Sequence, residues 1–325
     1  MSRSNNNESH GLSHDFIADL QDEGYLSSLI DSIRKDSSLS LEIRHDYINM
    51  YYRGGNLLRL NKLKDHIYLP FFDDNYFSDK IGFLQGLPKE ISSFSDIDQW
   101  RYKFPALKSE MDRWFSDNPK AEREFQQIVV WENNNSSIAN STDYFIVDIE
   151  YDNKRGGRFD MVAIQWDSAS SARKLMGGYE PKLCFIEMKY GDAALNGKSG
   201  MLDHVKQWSE YLEQEENRKD IKEEMLNVFR QKRDLHLIKG LEGNNNPVKS
   251  FTADIDCIFL LANHDPDKSG LQTIVKEIEK INIPGVGIKF CISNFMGYGL
   301  YKENVINLPE FNERYAKQIY SKGTK

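Results

Sequence analysis

One acid and one base stand two residues apart at the end of an apolar run, Lys182-Leu-Cys-Phe-Ile-Glu-Met-Lys-Tyr-Gly191. Leu183 to Ile186 is continuously apolar, which predicts a buried strand. Side chains alternate along a strand, so Glu187 and Lys189 share a face. Gly191 breaks the strand just beyond them. A second acid comes from upstream. Gly156-Gly157-Arg158-Phe159-Asp160-Met161-Val162-Ala163-Ile164 reads as a glycine turn and a further strand, with Asp160 near its start. A carboxylate among apolar neighbours is costly unless a metal, a lysine or an amide partners it. If the two strands are adjacent, Asp160 and Glu187 can share a divalent cation, with Lys189 beside them. Carboxylate oxygens are hard ligands, of the kind that suits Mg²⁺ or Mn²⁺.

An Asp at a strand start, then Glu-x-Lys on the next strand, resembles the PD-(D/E)xK phosphodiesterase superfamily of nucleases. Phe159-Asp160 stands where that family usually has Pro-Asp. Gln207 and Tyr211 form a Q-x-x-x-Y pair downstream, similar to the RecB-like branch. Glu122 lies on an upstream helix, where the superfamily often supplies one more acid. The resemblance covers residues 118 to 300. It implies an α/β, restriction-endonuclease-like fold with a mixed central sheet flanked by helices. It also implies one or two Mg²⁺ or Mn²⁺ ions on Asp160 and Glu187, with the Met188 backbone carbonyl as a further ligand and Glu122 as an additional candidate. Lys189 would act on a water or on the phosphate. Gln207 and Tyr211 would orient Lys189 or touch the substrate. The implied reaction is phosphodiester hydrolysis of nucleic acid, with DNA the expected form. By analogy of fold alone, a nuclease with a separate N-terminal region resembles bacterial restriction or anti-phage defence factors. The alternative is an inactive binding or scaffold module of the same fold, in which Asp160, Glu187 and Lys189 form a structural ion pair.

The 325 residues suffice for one large domain or two smaller ones. We divide them into a disordered lead (1–10), an N-terminal helix and β-hairpin region (11–94) and the nuclease-like domain (95–325). No run approaches the roughly 20 apolar residues of a transmembrane helix. Met1 to Glu8 lacks the apolar core of a signal peptide. Cys184, Cys257 and Cys291 each sit in an apolar run, as buried free thiols would, without C-x-x-C spacing. A reducing, cytoplasmic setting is expected. The net charge of −8 argues against a protein that coats DNA by phosphate neutralisation. It leaves room for a local basic channel, for which Lys154, Arg155, Arg158, Arg173, Lys174, Lys182, Lys198 and Lys206 are candidates.

The elements that must carry these residues follow from periodicity. Leu26, Leu29, Ile30 and Ile33 predict a helix around 25–35, either core or a surface for a protein partner or a second copy. Tyr47 to Leu60 reads as a hairpin turning at Gly54-Gly55, with Asn56 available for positive φ. His66 to Phe72 adds a strand, and residues 73–95 read as a linker. The aromatic side chains here could stack bases, but packing of a small sheet is the favoured reading. Asp96 to Phe115 has helical spacing, interrupted near Pro105. Asn118-Pro119 starts a helix carrying Glu122, with Glu124 as the alternative acid. Acids in a first turn also complement the helix dipole. Strands follow at 144–151, 160–166, 183–190, 254–262 and 287–293, with a short edge strand within 300–308. Helices are expected at 201–213, 271–281 and 310–320. Asn196-Gly-Lys-Ser-Gly200 superficially resembles a phosphate loop, but Asp192 stands where the first Gly belongs, which argues against an ATPase. Gln207 and Tyr211 are one helical turn apart, and His204 on the same helix reads as a surface residue.

Overall fold

The computed structural model describes residues 10–77, 84–153, 156–168, 180–197, 199–241, 248–262, 270–293 and 305–320, the side chains of 315–320 excepted. Five of the channel candidates, Lys154, Arg155, Arg173, Lys174 and Lys198, lie outside the described residues, as do most of the lead and the first part of the proposed edge strand. The chain forms two compact units, Met1–Trp131 with Asn227–Gly243, and Glu132–Leu226 with Asn244–Lys325. They divide after Trp131, not after residue 94.

The first unit is built on an antiparallel four-stranded meander, β1 (Leu39–Ile43), β2 (Tyr47–Tyr52), β3 (Gly55–Lys64) and β4 (Ile67–Phe71). Its apolar face carries Leu41, Ile43, Ile48, Met50, Leu58, Leu60 and Tyr68, all buried. Helices α1 (His14–Leu20), α2 (Ser27–Lys35) and α3 (Phe94–Asp117) supply Phe16, Leu29, Ile30, Leu107 and Met111 to the same core. This explains why α3 belongs here: its apolar stripe already has a partner sheet. Pro105 lies inside α3 without interrupting it. The buried Phe104, Leu107 and Met111 hold the helix across the one backbone donor that proline lacks. Asn118 is the C-cap of α3, and α4 (Ala121–Val130) starts two residues later than Asn118-Pro119 suggests, with Lys120 at its N-cap.

The β2–β3 turn is the predicted hairpin, but Arg53 (φ 51°) and Gly54 (φ 72°) take the positive φ, not Asn56. Two consecutive positive φ values are what a two-residue hairpin of matching twist requires. The Gln127 side chain on α4 pins the turn. Its Oε1 accepts the Gly54 N–H at 2.6 Å, while its Nε2 donates to the Ser38 and Tyr51 carbonyls at 2.7 and 3.0 Å. A Cβ at Gly54 would stand 2.5 Å from the Arg123 carbonyl oxygen. Gly54→Ala therefore combines an unfavourable backbone conformation with a backbone clash, and is expected to cost about 1–3 kcal/mol in urea denaturation. An unchanged midpoint would show that the turn relaxes freely.

The second unit is mixed α/β. Its six-stranded sheet has the order β10-β9-β8-β7-β6-β5. These are β5 (Tyr144–Asp152), β6 (Arg158–Gln165), β7 (Lys182–Tyr190), β8 (Ile255–Ala262), β9 (Val286–Ser293) and β10 (Ile306–Asn307). β5, β6 and β7 run antiparallel, β7, β8 and β9 parallel, and β10 antiparallel to β9. Every residue of β8 is buried, as the apolar run predicted for a central strand. Between the parallel strands come α5 (Met201–Leu212), α6 (Glu215–Asp234, whose last eight residues belong to the first unit) and α7 (Leu271–Ile278); α8 (Leu308–Tyr320) closes the chain. Trp208 of α5 packs on Phe259 at 4.7 Å between ring centroids, and Phe311 of α8 stacks on Phe290 at 4.5 Å. Phe259 pairs with Glu187 across the parallel ladder, so α5 covers the face that bears Glu187.

Candidate active site

β7 delivers Glu187 and Lys189 side by side. The Lys189 Nζ donates to Glu187 Oε1 at 2.7 Å, and both side chains are 5% exposed. Gly191 follows at φ 71° and turns the chain into a short 3-10 helix, Asp192–Leu195. The second acid lies on the neighbouring strand as expected. The β6–β7 ladder ends at Met161↔Ile186. One residue further out, Asp160 uses its side chain in place of a backbone acceptor, and its Oδ2 takes the Met188 N–H at 2.8 Å. A residue's N–H and C=O leave a strand on the same edge. The Met188 carbonyl therefore also points toward the edge where Asp160 stands.

Glu187 has a second partner that sequence reasoning missed. His204 Nε2, on the first turn of α5, lies 2.9 Å from Glu187 Oε1. The same nitrogen is 3.1 Å from the Ser199 carbonyl oxygen. The Ser199 carbonyl can only accept, so Nε2 carries the proton and donates to it, while Glu187 stands at ion-pair distance. The spacing held the signal. His204 precedes the buried Trp208 by four residues, which places it at the margin of the stripe that α5 lays on the sheet. Burial alone would push the Glu187 carboxyl up, but the nearby His204 imidazole and the Lys189 charge outweigh it and hold the group below the usual carboxylate range.

The Q-x-x-x-Y pair separates. Gln207 is exposed. Tyr211 is buried, and its hydroxyl accepts from Asn153 Nδ2 at 2.7 Å. Its ring meets Phe159 edge-on at 5.9 Å, and Phe159 stacks on Phe185 at 4.0 Å. Asn153 Oδ1 in turn accepts the Gly157 N–H at 2.9 Å. A Cβ at Gly157 would come within 2.7 Å of the Tyr211 ring. Positions four apart on a helix are offset by about 40°, enough here to send one to solvent and the other onto the β5–β6 turn. Tyr211→Phe is expected to cost about 1 kcal/mol by loss of the Asn153 bond, with the Glu187–Lys189 contact undisturbed. A larger cost in chemical denaturation would mean that the hydroxyl supports more than this turn.

Glu122 lies on α4 in the first unit, whereas the constellation around Glu187 is built from the second unit. The alternative acid, Glu124, pairs with Arg53 at 3.0 Å. Of the described channel candidates, Arg158 and Lys206 are exposed, and Lys182 lies 3.3 Å from the buried Asp256 carboxylate. Cys184, Cys257 and Cys291 are free and buried as expected, and burial pushes the Cys291 thiol up to about 12. Among the described residues, no group of three or more His, Cys, Asp or Glu side chains is arranged to hold a metal ion. None of the described helices is long and apolar enough to cross a membrane.

The donor set still has the chemistry of a hard-cation site: two carboxylates on neighbouring strands and a strand carbonyl aimed at the same edge. The Lys189 and His204 contacts of Glu187 both fall on Oε1. Among the described residues, Oε2 accepts no hydrogen bond, which leaves that oxygen to ligate. No protein-family model, curated protein or solved structure matches the chain.

Proposed function

We propose that the second unit is a divalent-metal-dependent nuclease centre of the PD-(D/E)xK kind, on a restriction-endonuclease-like sheet, acting on DNA. The observation that carries this reading is the meeting of Asp160 with the Met188 backbone beside the Glu187–Lys189 pair. Asp160, Glu187 and the Met188 carbonyl would hold Mg²⁺ or Mn²⁺. Such an ion, when bound, lowers the pKa of a water and offsets charge on the phosphate. Among the described residues, Lys189 supplies the ammonium at the site, placed by Glu187 to contact the attacking water or the phosphate. Its near-complete burial keeps it from bulk water, which strengthens any charge interaction it makes.

That same burial favours the second reading, a non-cleaving module in which Glu187, Lys189 and His204 form a closed ion cluster. The two are separated by incubating the full chain with plasmid, single-stranded DNA and RNA in Mn²⁺ and in EDTA, and by melting it with and without Mn²⁺. Metal-dependent cleavage with a raised Tm supports the nuclease. Intact substrates and an unmoved Tm support the module.

A further inference from the structure

We propose that His204 is a positioning residue for Glu187, fixing which carboxylate oxygen is offered to a divalent cation. The proposal rests on the nuclease reading. Three observations support it. First, His204 Nε2 and Lys189 Nζ converge on one oxygen, Glu187 Oε1, at 2.9 and 2.7 Å. Two nitrogens drawn to one oxygen, one of them donating to it, oppose rotation of the carboxylate and leave Oε2 as the atom presented to a ligand. Lys189 alone, a single ammonium on a flexible stem, would not hold that orientation.

Second, the imidazole is itself held. Its Nε2 donates to the Ser199 carbonyl at 3.1 Å, which fixes the orientation of the ring beside Glu187.

Third, packing does not account for a histidine here. The other ring nitrogen, Nδ1, is buried and has no hydrogen-bond partner among the described residues. An apolar side chain would fill the space beside Trp208 without leaving a polar atom unpaired. The polar Nε2, bonded to the Ser199 carbonyl and 2.9 Å from Glu187 Oε1, is what distinguishes histidine from leucine at this position.

The test uses the full chain with His204→Leu and His204→Gln. Leucine fills the space without a donor. Glutamine places an N–H near the position of Nε2. Tm is followed against Mn²⁺ concentration, and kcat and KM are measured on a DNA substrate. His204→Leu should raise the half-saturating Mn²⁺ and lower kcat by about 10–100-fold, with KM for DNA unchanged. His204→Gln should recover most of both. A wild-type Mn²⁺ midpoint and kcat in His204→Leu, beside a wild-type protein that cleaves, would overturn the positioning role and leave the nuclease reading standing. Equal impairment of the two variants would also overturn it, since shape and not the donor would then matter. A wild-type protein that neither cleaves nor responds to Mn²⁺ would remove the nuclease reading and this role with it.

Discussion

Lys189→Met is expected to abolish cleavage, a loss of roughly 10²–10⁴-fold or more, while the protein melts close to wild type. Methionine keeps the stem of lysine, so the space under α5 stays filled. The Glu187 carboxylate loses one donor but keeps the His204 Nε2, 2.9 Å away. Glu187→Ala should behave differently. It too should lose cleavage, but it leaves the Lys189 ammonium, 5% exposed, without its carboxylate. Removing one member of a buried pair costs about 3–5 kcal/mol. The two variants should thus match in activity and part in stability. That divergence matters, because a poorly folded Glu187→Ala protein would be inactive for an uninformative reason. Lys189→Met, checked by thermal melting and by a plasmid assay in Mn²⁺, is the cleaner probe. Cleavage at the wild-type rate by a folded Lys189→Met protein would reject the assignment of the site.

The part of this centre that lies along one strand was legible from residue order. The Leu183–Ile186 run, the alternation of Glu187 and Lys189 and the stop at Gly191 are local properties of β7. The neighbouring position of Asp160 was also accessible, because antiparallel strands joined in sequence usually pair. His204 was legible only in part. Its spacing from Trp208 places it beside the buried stripe, but its contact with Glu187 depends on how far α5 slides along the sheet, which Trp208 on Phe259 determines. Tyr211 shows the same limit. Its spacing from Gln207 is local, but its destination depends on the β5–β6 turn reaching back to meet it. Unit boundaries failed for a related reason. The stripe on α3 states that the helix packs, not on what, and its partner proved to be the four-stranded meander. Charged helices hid the most. The segment from 214 to 248 gave no sign that the end of α6 returns to the first unit and buries a lysine there.

That lysine carries the second large expected effect. Lys232 Nζ lies 2.8 Å from Glu42 Oε2 on β1, with side chains 5% and 1% exposed. Glu42 has contacts besides this one, whereas Glu42 is the one ion-pair partner of Lys232 among the described residues. Glu42→Ala therefore leaves a buried ammonium uncompensated and should cost about 3–5 kcal/mol, a fall in Tm on the order of 10 °C. Lys232→Met should cost less, because the carboxylate it leaves behind keeps its other contacts. The double variant Glu42→Leu/Lys232→Met removes both charges and fills both volumes. It should recover most of the loss, since apolar replacement of a buried pair is often neutral or stabilising by about 1–4 kcal/mol. The strong non-additivity follows from the desolvation penalty, which each single variant leaves behind on one partner. Thermal melting of the four proteins closes the cycle. Equal losses in the two single variants would mean that Glu42 depends on Lys232 as completely as Lys232 depends on Glu42. Additive losses would mean that the ammonium reaches water once the carboxylate is gone, and that β1 and the end of α6 are held by their apolar contacts instead.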